Sequence, residues 1–560
     1  MSASEQGRDA ALAKDTDFDA LVVGAGFSGI YMLKKLRDDL GLSVQGLEMA
    51  DDVGGTWYHN KYPGARCDSD SWLYCYDWCD DVQEEWEWTE RYPHQPEIQD
   101  YISFVAESHD LYKDIEFETK VTSATFDEDS GIWEIETEDG SSYTTQYFIP
   151  AVGNLSKPFI PDFDGLEDFE GTWYHTSSWP ADGVDMEGKT VGLIGTGSTG
   201  IQTMPHLAEE SEHLKVFQRT PNWAVPARNR PLEEEEWQEL KANYDELWEA
   251  ARNSDGGLDI EFTHPTADDL SREEAWESLE ERWEEGGPLL SVFEDTLINK
   301  DTNTLVCEFI AEKIRETIDD PELAEKLIPM DEDGNPEHWY AAKRPPLAYN
   351  GYYERFNRDD VELVDVGDNP IARFNADSIV LEDGTEHQID VLCMATGFDA
   401  VTGTLESLNI TGRNGQNLED KWEAGPRTYL GLGTHGFPNM FMITGPQSPS
   451  VLTNMVVPIQ QHVEWITECL DYMLENGYQH IEAQEDAEEE WAAHNEEVAS
   501  QTLYPDSASW YRGDNIPGKD QTFLIYPGGI NLYNDRIEAV AAENYEGFTL
   551  AEAEESQAAD

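Results

Sequence analysis

Positive charge is what this 560-residue sequence has least of: 35 lysines and arginines stand against 117 aspartates and glutamates, a formal net charge of −82. That imbalance argues against nucleic-acid binding, because Lys and Arg supply the attraction to a phosphate backbone. Cysteine is also scarce, with six residues at 67, 75, 79, 307, 393 and 469. They are too few and too scattered for a disulfide framework, so buried, reduced thiols are expected. Cys75 and Cys79 have no His or Cys cluster at zinc spacing beside them, and no metal site is expected. No apolar run reaches the roughly 18 residues that a membrane span needs. The N-terminus has neither the basic start nor the apolar core of a signal peptide. The expectation is a cytoplasmic, monomeric protein that does not touch a membrane.

Aromatic residues are not lacking. The 18 Trp, 24 Tyr and 20 Phe mark a folded chain, since acidic disordered chains are poor in them. Folding under so much negative charge suggests adaptation to concentrated salt, where screening shortens self-repulsion to a few ångströms. The length predicts two to four domains.

Two glycine-rich turns organise those domains. An apolar run at 18–23 predicts a buried strand, Gly24, Gly26 and Gly29 complete a GxGxxG turn, and a helix follows to about 40, ended by Gly41. The next strand, 44–48, closes on Glu48, 24 positions past Gly24, where a carboxylate takes the ribose hydroxyls of a bound dinucleotide. Strand, turn, helix, strand and acid in register make the dinucleotide fingerprint specific. The pattern then repeats: a strand at 191–194, the turn Gly195, Thr196, Gly197, Ser198, Thr199, Gly200, a helix at 199–210 and a strand at 215–219. Arg219 stands 24 positions past Gly195, the offset at which the first copy places its acid. A carboxylate repels a 2′-phosphate and a guanidinium binds it, so the first site should take FAD or NAD and the second NADPH. An enzyme that holds two dinucleotides passes electrons between them.

The remaining chain falls around these turns. Residues 115–149 alternate like a β-meander with a hairpin at Asp139 and Gly140, and 147–153 leave the first domain. Residues 231–334 read as a helical insertion, with Trp237, Leu240, Tyr244, Leu247, Trp248 and Ala251 at helical spacing, then Val306, Ile310 and Ile314. Strands after 346 should complete the second sheet, and 389–399 should return to the first. A late helix carries Ile459, Val463, Ile466, Leu470 and Met473 on one face, and the chain should fray after about 548. The expected fold is α/β: two interleaved Rossmann-like dinucleotide-binding domains with a helical insertion. Their divisions are 1–150 with 390–560 for FAD, 151–230 with 335–389 for NADP, and 231–334 for the insertion.

Between the two turns, the stretch 169–180 carries Phe169, Gly171, His175, Trp179 and Pro180 in the pattern FxGxxxHxxxWP. A longer one, GGxWxxxxYPGxxxD, is met by Gly54, Gly55, Trp57, Tyr62, Pro63, Gly64 and Asp68. With both patterns placed this way about two glycine turns, the sequence closely resembles the Baeyer–Villiger monooxygenases, single-component class B flavoproteins, from about residue 17 to about 545. The resemblance implies that FAD lies against Gly24, Gly26, Ser28, Gly29, Glu48, Gly55, Thr56, Trp57, Asp68, Tyr74, Val121 and Met455. It implies NADPH on Arg66, the second turn, Arg219, Thr220, Lys343 and Trp510. Arg344 would be the catalytic arginine, oriented by Asp68, and His175 a hinge residue between domains. Lys61 stands where the family commonly has Arg, and Asp514 and Asp520 put acids into the loop that follows Trp510.

The implied reaction reduces flavin with NADPH, activates dioxygen as a flavin C4a-peroxide, and inserts one oxygen atom beside a ketone carbonyl to give an ester or lactone. The segment 446–455 resembles the longer active-site loop of members that take aryl or bulky ketones. An oxygenase of amines or sulfides would use the same two cofactors without needing Arg344. A disulfide reductase is disfavoured by the lack of a CxxC pair, and a nucleotide sensor without turnover is the alternative from another class.

Overall fold

A computed structural model describes residues 11–13, 15–343, 347–348 and 351–552. Its first sheet has seven strands in the order Ile410–Thr411, Val121–Asp127, Ile132–Thr137, Ser142–Pro150, Phe18–Val23 (β1), Val44–Leu47 (β2) and Ile115–Glu116. β1 pairs in parallel with β2 and with Ser142–Pro150. The meander forms as expected, with Val121–Asp127, Ile132–Thr137 and Ser142–Pro150 antiparallel. The helix Phe27–Lys34 (α1) follows the first turn and continues as a π-helical turn, Lys35–Asp39.

The second sheet has five strands: Val361–Asp365, then His213–Gln218, Thr190–Ile194, Val391–Met394 and Thr172–His175. All are parallel. Thr190–Ile194 (β3), the helix Ser198–Glu210 (α2) and His213–Gln218 (β4) repeat the β1, α1, β2 unit.

The strand Val391–Met394 corrects the expected return to the first sheet at 389–399. It sits between β3 and Thr172–His175, with all four residues buried. An apolar strand buried on both faces suits the middle of any parallel sheet, so its composition carries no address. The return comes just after it, and Ile410–Thr411 pairs with Val121–Asp127. Of the strands after 346, Val361–Asp365 completes the second sheet, whereas Ile371–Phe374, Ser378–Leu381 and Glu386–Gln388 form an antiparallel sheet of their own. The chain does not fray at 548: Phe548–Glu552 pairs with Tyr478–Ala483.

The insertion belongs to both halves. Trp237, Tyr244, Trp248 and Ala251 join the core around β1 and the helix Val456–Asn476. Leu279, Val306, Phe309, Ile310 and Ile314 join the core under the second sheet. The helix Lys300–Thr317 shows how local chemistry sets such an element. Asn299 caps it by accepting from the N–H groups of Asp301 and Thr302, and Val306, Ile310 and Ile314 put one apolar stripe inward. Burying each such side chain contributes about 1.5–3 kcal/mol. All six cysteines are buried free thiols, and among the described residues no helix is long and apolar enough to cross a membrane.

Candidate functional site

In the first turn the backbone itself demands glycine. Gly24 has φ +103°, and a Cβ there would lie 2.5 Å from the carbonyl oxygen of Ala151. A Cβ on Gly29 would fall 1.8 Å from the Gly24 oxygen, so helix and strand meet only because neither carries a side chain. Gly26 faces Gly55, whose Cα would stand 3.3 Å from an added Cβ, leaving a bare backbone slot between turn and loop. No side chain caps the N-terminus of α1, and uncapped N–H groups at a helix start suit a phosphate. Ser28 lies buried in the first turn of α1.

Glu48 is buried, and its carboxylate already accepts the Ala25 N–H at 2.7 Å and the Ala50 N–H at 2.9 Å. The expected ribose acid therefore also ties the turn to the strand end, and each oxygen keeps a lone pair for a hydroxyl. Thr56 is exposed at the start of the short helix Thr56–His59. Trp57 donates its indole N–H to the Tyr74 hydroxyl at 3.1 Å, and the two rings meet edge to face at 5.7 Å. Val121 is buried at the head of its strand. Met455 precedes the helix Val456–Asn476 and packs against two cores. Its neighbour Asn454 donates to the Leu73 carbonyl at 2.6 Å, fixing the 446–455 loop beside Tyr74.

The second turn copies the first. Gly195 has φ +108°, a Cβ on it would lie 2.4 Å from the Ala395 oxygen, and one on Gly200 would lie 2.1 Å from the Gly195 oxygen. Gly197 faces open space and starts α2 without a side-chain cap. Thr196 donates to the Thr220 carbonyl at 3.0 Å, linking the turn to the end of β4. Arg219 is exposed there, Ser198 and Thr199 are half-buried, and so is Lys343. Burial first, and the charge of Arg219 second, hold the Lys343 ammonium below its ordinary pKa. Arg219 and Lys343 are thus two cations within electrostatic reach of each other, and a pair of that kind can bind an anion through charge-assisted bonds.

The two turns are clamped together through Gln202, which the sequence reading did not single out, and through Tyr62, Gly64 and Arg66, which it named for other reasons. Tyr62 donates its hydroxyl to Gln202 on α2 at 2.8 Å, and the Gln202 amide donates to the Arg66 carbonyl at 3.1 Å. A Cβ on Gly64 would come within 2.5 Å of the Gln202 carbonyl oxygen. The YPG part of the longer pattern is thus the seat on which α2 rests. The only hint in sequence is a glutamine two places after the third glycine of the second turn. Burial, and less strongly the charge of Asp68, push the Tyr62 phenol up to about 12, which keeps it a donor. Asp68 is half-buried. The Arg66 guanidinium bonds Glu90 and the Tyr92 carbonyl, each at 2.9 Å.

The segments joining the two sheets run side by side. Val401 donates to the Asn154 carbonyl at 2.8 Å, Asp399 to that of Lys157 at 2.9 Å and Phe159 to that of Gly397 at 2.9 Å. His175 is fully buried at the end of its strand. Its Nδ1 accepts the Ser177 N–H at 3.2 Å, so Nε2 carries the proton and donates to the Gly397 carbonyl at 3.2 Å. Burial holds the imidazole below its ordinary pKa, and the ring is a neutral strut between the two segments. Asp399 pairs with Lys157 at 3.0 Å and with Lys519 at 2.7 Å, bringing in the loop after Trp510. Trp510 is half-buried against Tyr511, ring centroids 4.5 Å apart. Arg344 lies outside the described residues.

Residues 19–230 match the flavin-binding monooxygenase-like family. The phenazine N-monooxygenase PhzNO1 of Lysobacter antibioticus is 42% identical over 96% of this chain and 97% of its own. The solved complex of OTEMO with FAD and NADP is 38% identical, with TM-score 0.91 over 96% of this chain and 100% of that one. A Baeyer–Villiger monooxygenase of Pseudooceanicola batsensis is 41% identical over 94% of this chain and 95% of its own. With that degree of identity over nearly its whole length, the chain belongs to the Baeyer–Villiger monooxygenase family of flavin-binding monooxygenases.

Proposed function

We propose that this chain is an FAD-containing monooxygenase that consumes NADPH and dioxygen and inserts one oxygen atom beside the carbonyl of a small-molecule ketone, giving an ester or lactone. The observation that carries the reading is the pair of backbone turns, each closed by glycines that no other residue could replace, joined through Tyr62 and Gln202. Gly24, Gly26, Gly29, Glu48, Gly55 and the Trp57 and Tyr74 pair would hold FAD. The second turn with Arg219, Thr220 and Lys343 would hold NADPH. When bound, the flavin accepts hydride and activates dioxygen.

The chain's own residues then govern charge and water. Arg344 would stand as a permanent cation, since a guanidinium is not deprotonated in proteins. A unit charge beside a developing anion is worth roughly 4 kcal/mol at about 4 Å and an effective dielectric near 20, and each 1.4 kcal/mol or so is a factor of ten in rate. Asp68 would orient that cation without supplying the charge itself. Trp510 and its loop would exclude water from the reacting atoms. Arg344→Ala should still bleach its flavin with NADPH yet form under about a hundredth of the wild-type ester; ester at the wild-type rate would remove Arg344 from this role.

The likeness to a phenazine N-monooxygenase favours a second reading, oxygenation at nitrogen, and competition between a ketone and an N-heteroarene separates the two. The 446–455 loop favours an aryl or bulky ketone. The net charge of −82 favours a chain working at high salt, where self-repulsion is screened. Thermal melting that is flat between low and molar KCl would remove the salt adaptation.

A further inference from the structure

The proposed 2′-phosphate end of the second nucleotide site is not purely cationic. The loop after the helix Glu485–Ala499 is fastened on both sides of it. Before Trp510, Ser507 accepts the Trp339 N–H at 3.1 Å, and directly after it Tyr511 shares a core with Ala342, the residue before Lys343. After Trp510, Asn515 donates to the Phe398 carbonyl at 2.8 Å and Lys519 pairs with Asp399 at 2.7 Å. Between these fastenings Asp514 is half-buried and turned back on the loop, accepting the Ser509 N–H at 2.8 Å. The segment bearing Lys343 is packed against this loop, and of the charged groups that act on Lys343, Arg219 lowers its pKa while the carboxylates of Asp514 and Glu337 raise it. Glu337 in turn feels Asp331, Asp365 and Asp368.

We propose that Asp514 is a specificity-determining residue of the nucleotide site: carried by its loop to the side of Lys343, its carboxylate opposes the 2′-phosphate of NADPH and lowers the preference for NADPH over NADH. This rests on the reading of Arg219 and Lys343 as the phosphate contacts. The physical reason is that a bound phosphate adds about two negative charges where one carboxylate already sits. Like charges a few ångströms apart repel, and salt screens that repulsion. NADH has no phosphate there and would not feel it. The effect belongs to low salt, and molar salt should hide most of it, because the Debye length falls from about 10 Å at 0.1 M to about 3 Å at 1 M.

The test is the variant Asp514→Asn, whose amide oxygen still accepts the Ser509 N–H. Binding of NADP+ and of NAD+ to the oxidised, FAD-loaded enzyme is titrated by tryptophan fluorescence at 0.2 M and 2 M KCl. At 0.2 M the Kd for NADP+ should fall about three- to tenfold, that for NAD+ should not move, and the gain should shrink at 2 M. Equal shifts for both nucleotides, or no gain for NADP+, would overturn the proposal. Asp514→Ser, which also keeps an acceptor, should reproduce the result if the asparagine variant misfolds. Lys343→Ala separates the two levels of the argument. If it leaves the NADP+ to NAD+ ratio unchanged, the phosphate pocket itself lies elsewhere; if the ratio collapses while Asp514→Asn is silent, only the role of Asp514 fails.

Discussion

His338 and His462 are buried imidazoles whose environments admit no charge. His462 accepts the Thr444 N–H at 2.9 Å and meets the Tyr533 hydroxyl at 2.7 Å, and burial pushes its pKa down to about 3. His338 is held down to about 4 by burial and then by Lys343. Both are neutral in the fold and ordinary, near 6.5, when the chain is open. The unfolded state therefore binds more protons below pH 6.5, and stability falls as the pH drops from there towards 4 and then 3. Melting temperature followed from pH 7.5 to 4.5 should decline, less steeply in His338→Gln; parallel slopes would take His338 out of the account. Residues of this kind were not legible in the sequence, because a histidine's titration depends on packing. Glu48 was legible in position but not in full: its offset from Gly24 marked a ribose acid, while its bonds to the Ala25 and Ala50 N–H groups needed coordinates.

Elements whose logic is local could be read directly. Each turn stands between a buried strand and a helix, and spacing along the chain is enough to find it. The stretch 169–180 was found by its pattern, yet its place as the edge of the second sheet depends on Val391–Met394, more than 200 residues away. The joining segments 154–159 and 396–401 were invisible for the same reason, since their ladder is irregular backbone. Asp399 is the post of this element. Burial alone would raise its carboxyl pKa, but Lys519 and Lys157 outweigh it and hold the group low. Asp399→Asn should speed amide hydrogen exchange in both 396–401 and 513–520, because one carboxylate serves both. Faster exchange in only one of them would show that the loop is not tied to the joining segments through this residue.

For the whole molecule, the division of labour is between two sheets that each hold a turn and an insertion that packs into both cores. The first core takes Trp237, Tyr244, Trp248 and Ala251 from the insertion, and the second takes Tyr92 from the N-terminal half, so the cores are built from interleaved stretches of chain. The composition foretold a folded anionic chain, and the two fingerprints foretold two nucleotides. What stayed hidden was the contact that makes them one enzyme, Tyr62 on Gln202, which spans 140 positions. The most direct measurement of the central claim is anaerobic mixing of the FAD-loaded protein with NADPH, followed by admission of labelled dioxygen and a ketone. The account predicts that flavin absorbance bleaches on mixing and that one labelled oxygen atom appears in an ester or lactone. Flavin that NADPH cannot bleach, or bleached flavin that reoxidises with no labelled oxygen in any product from the ketone, would contradict it.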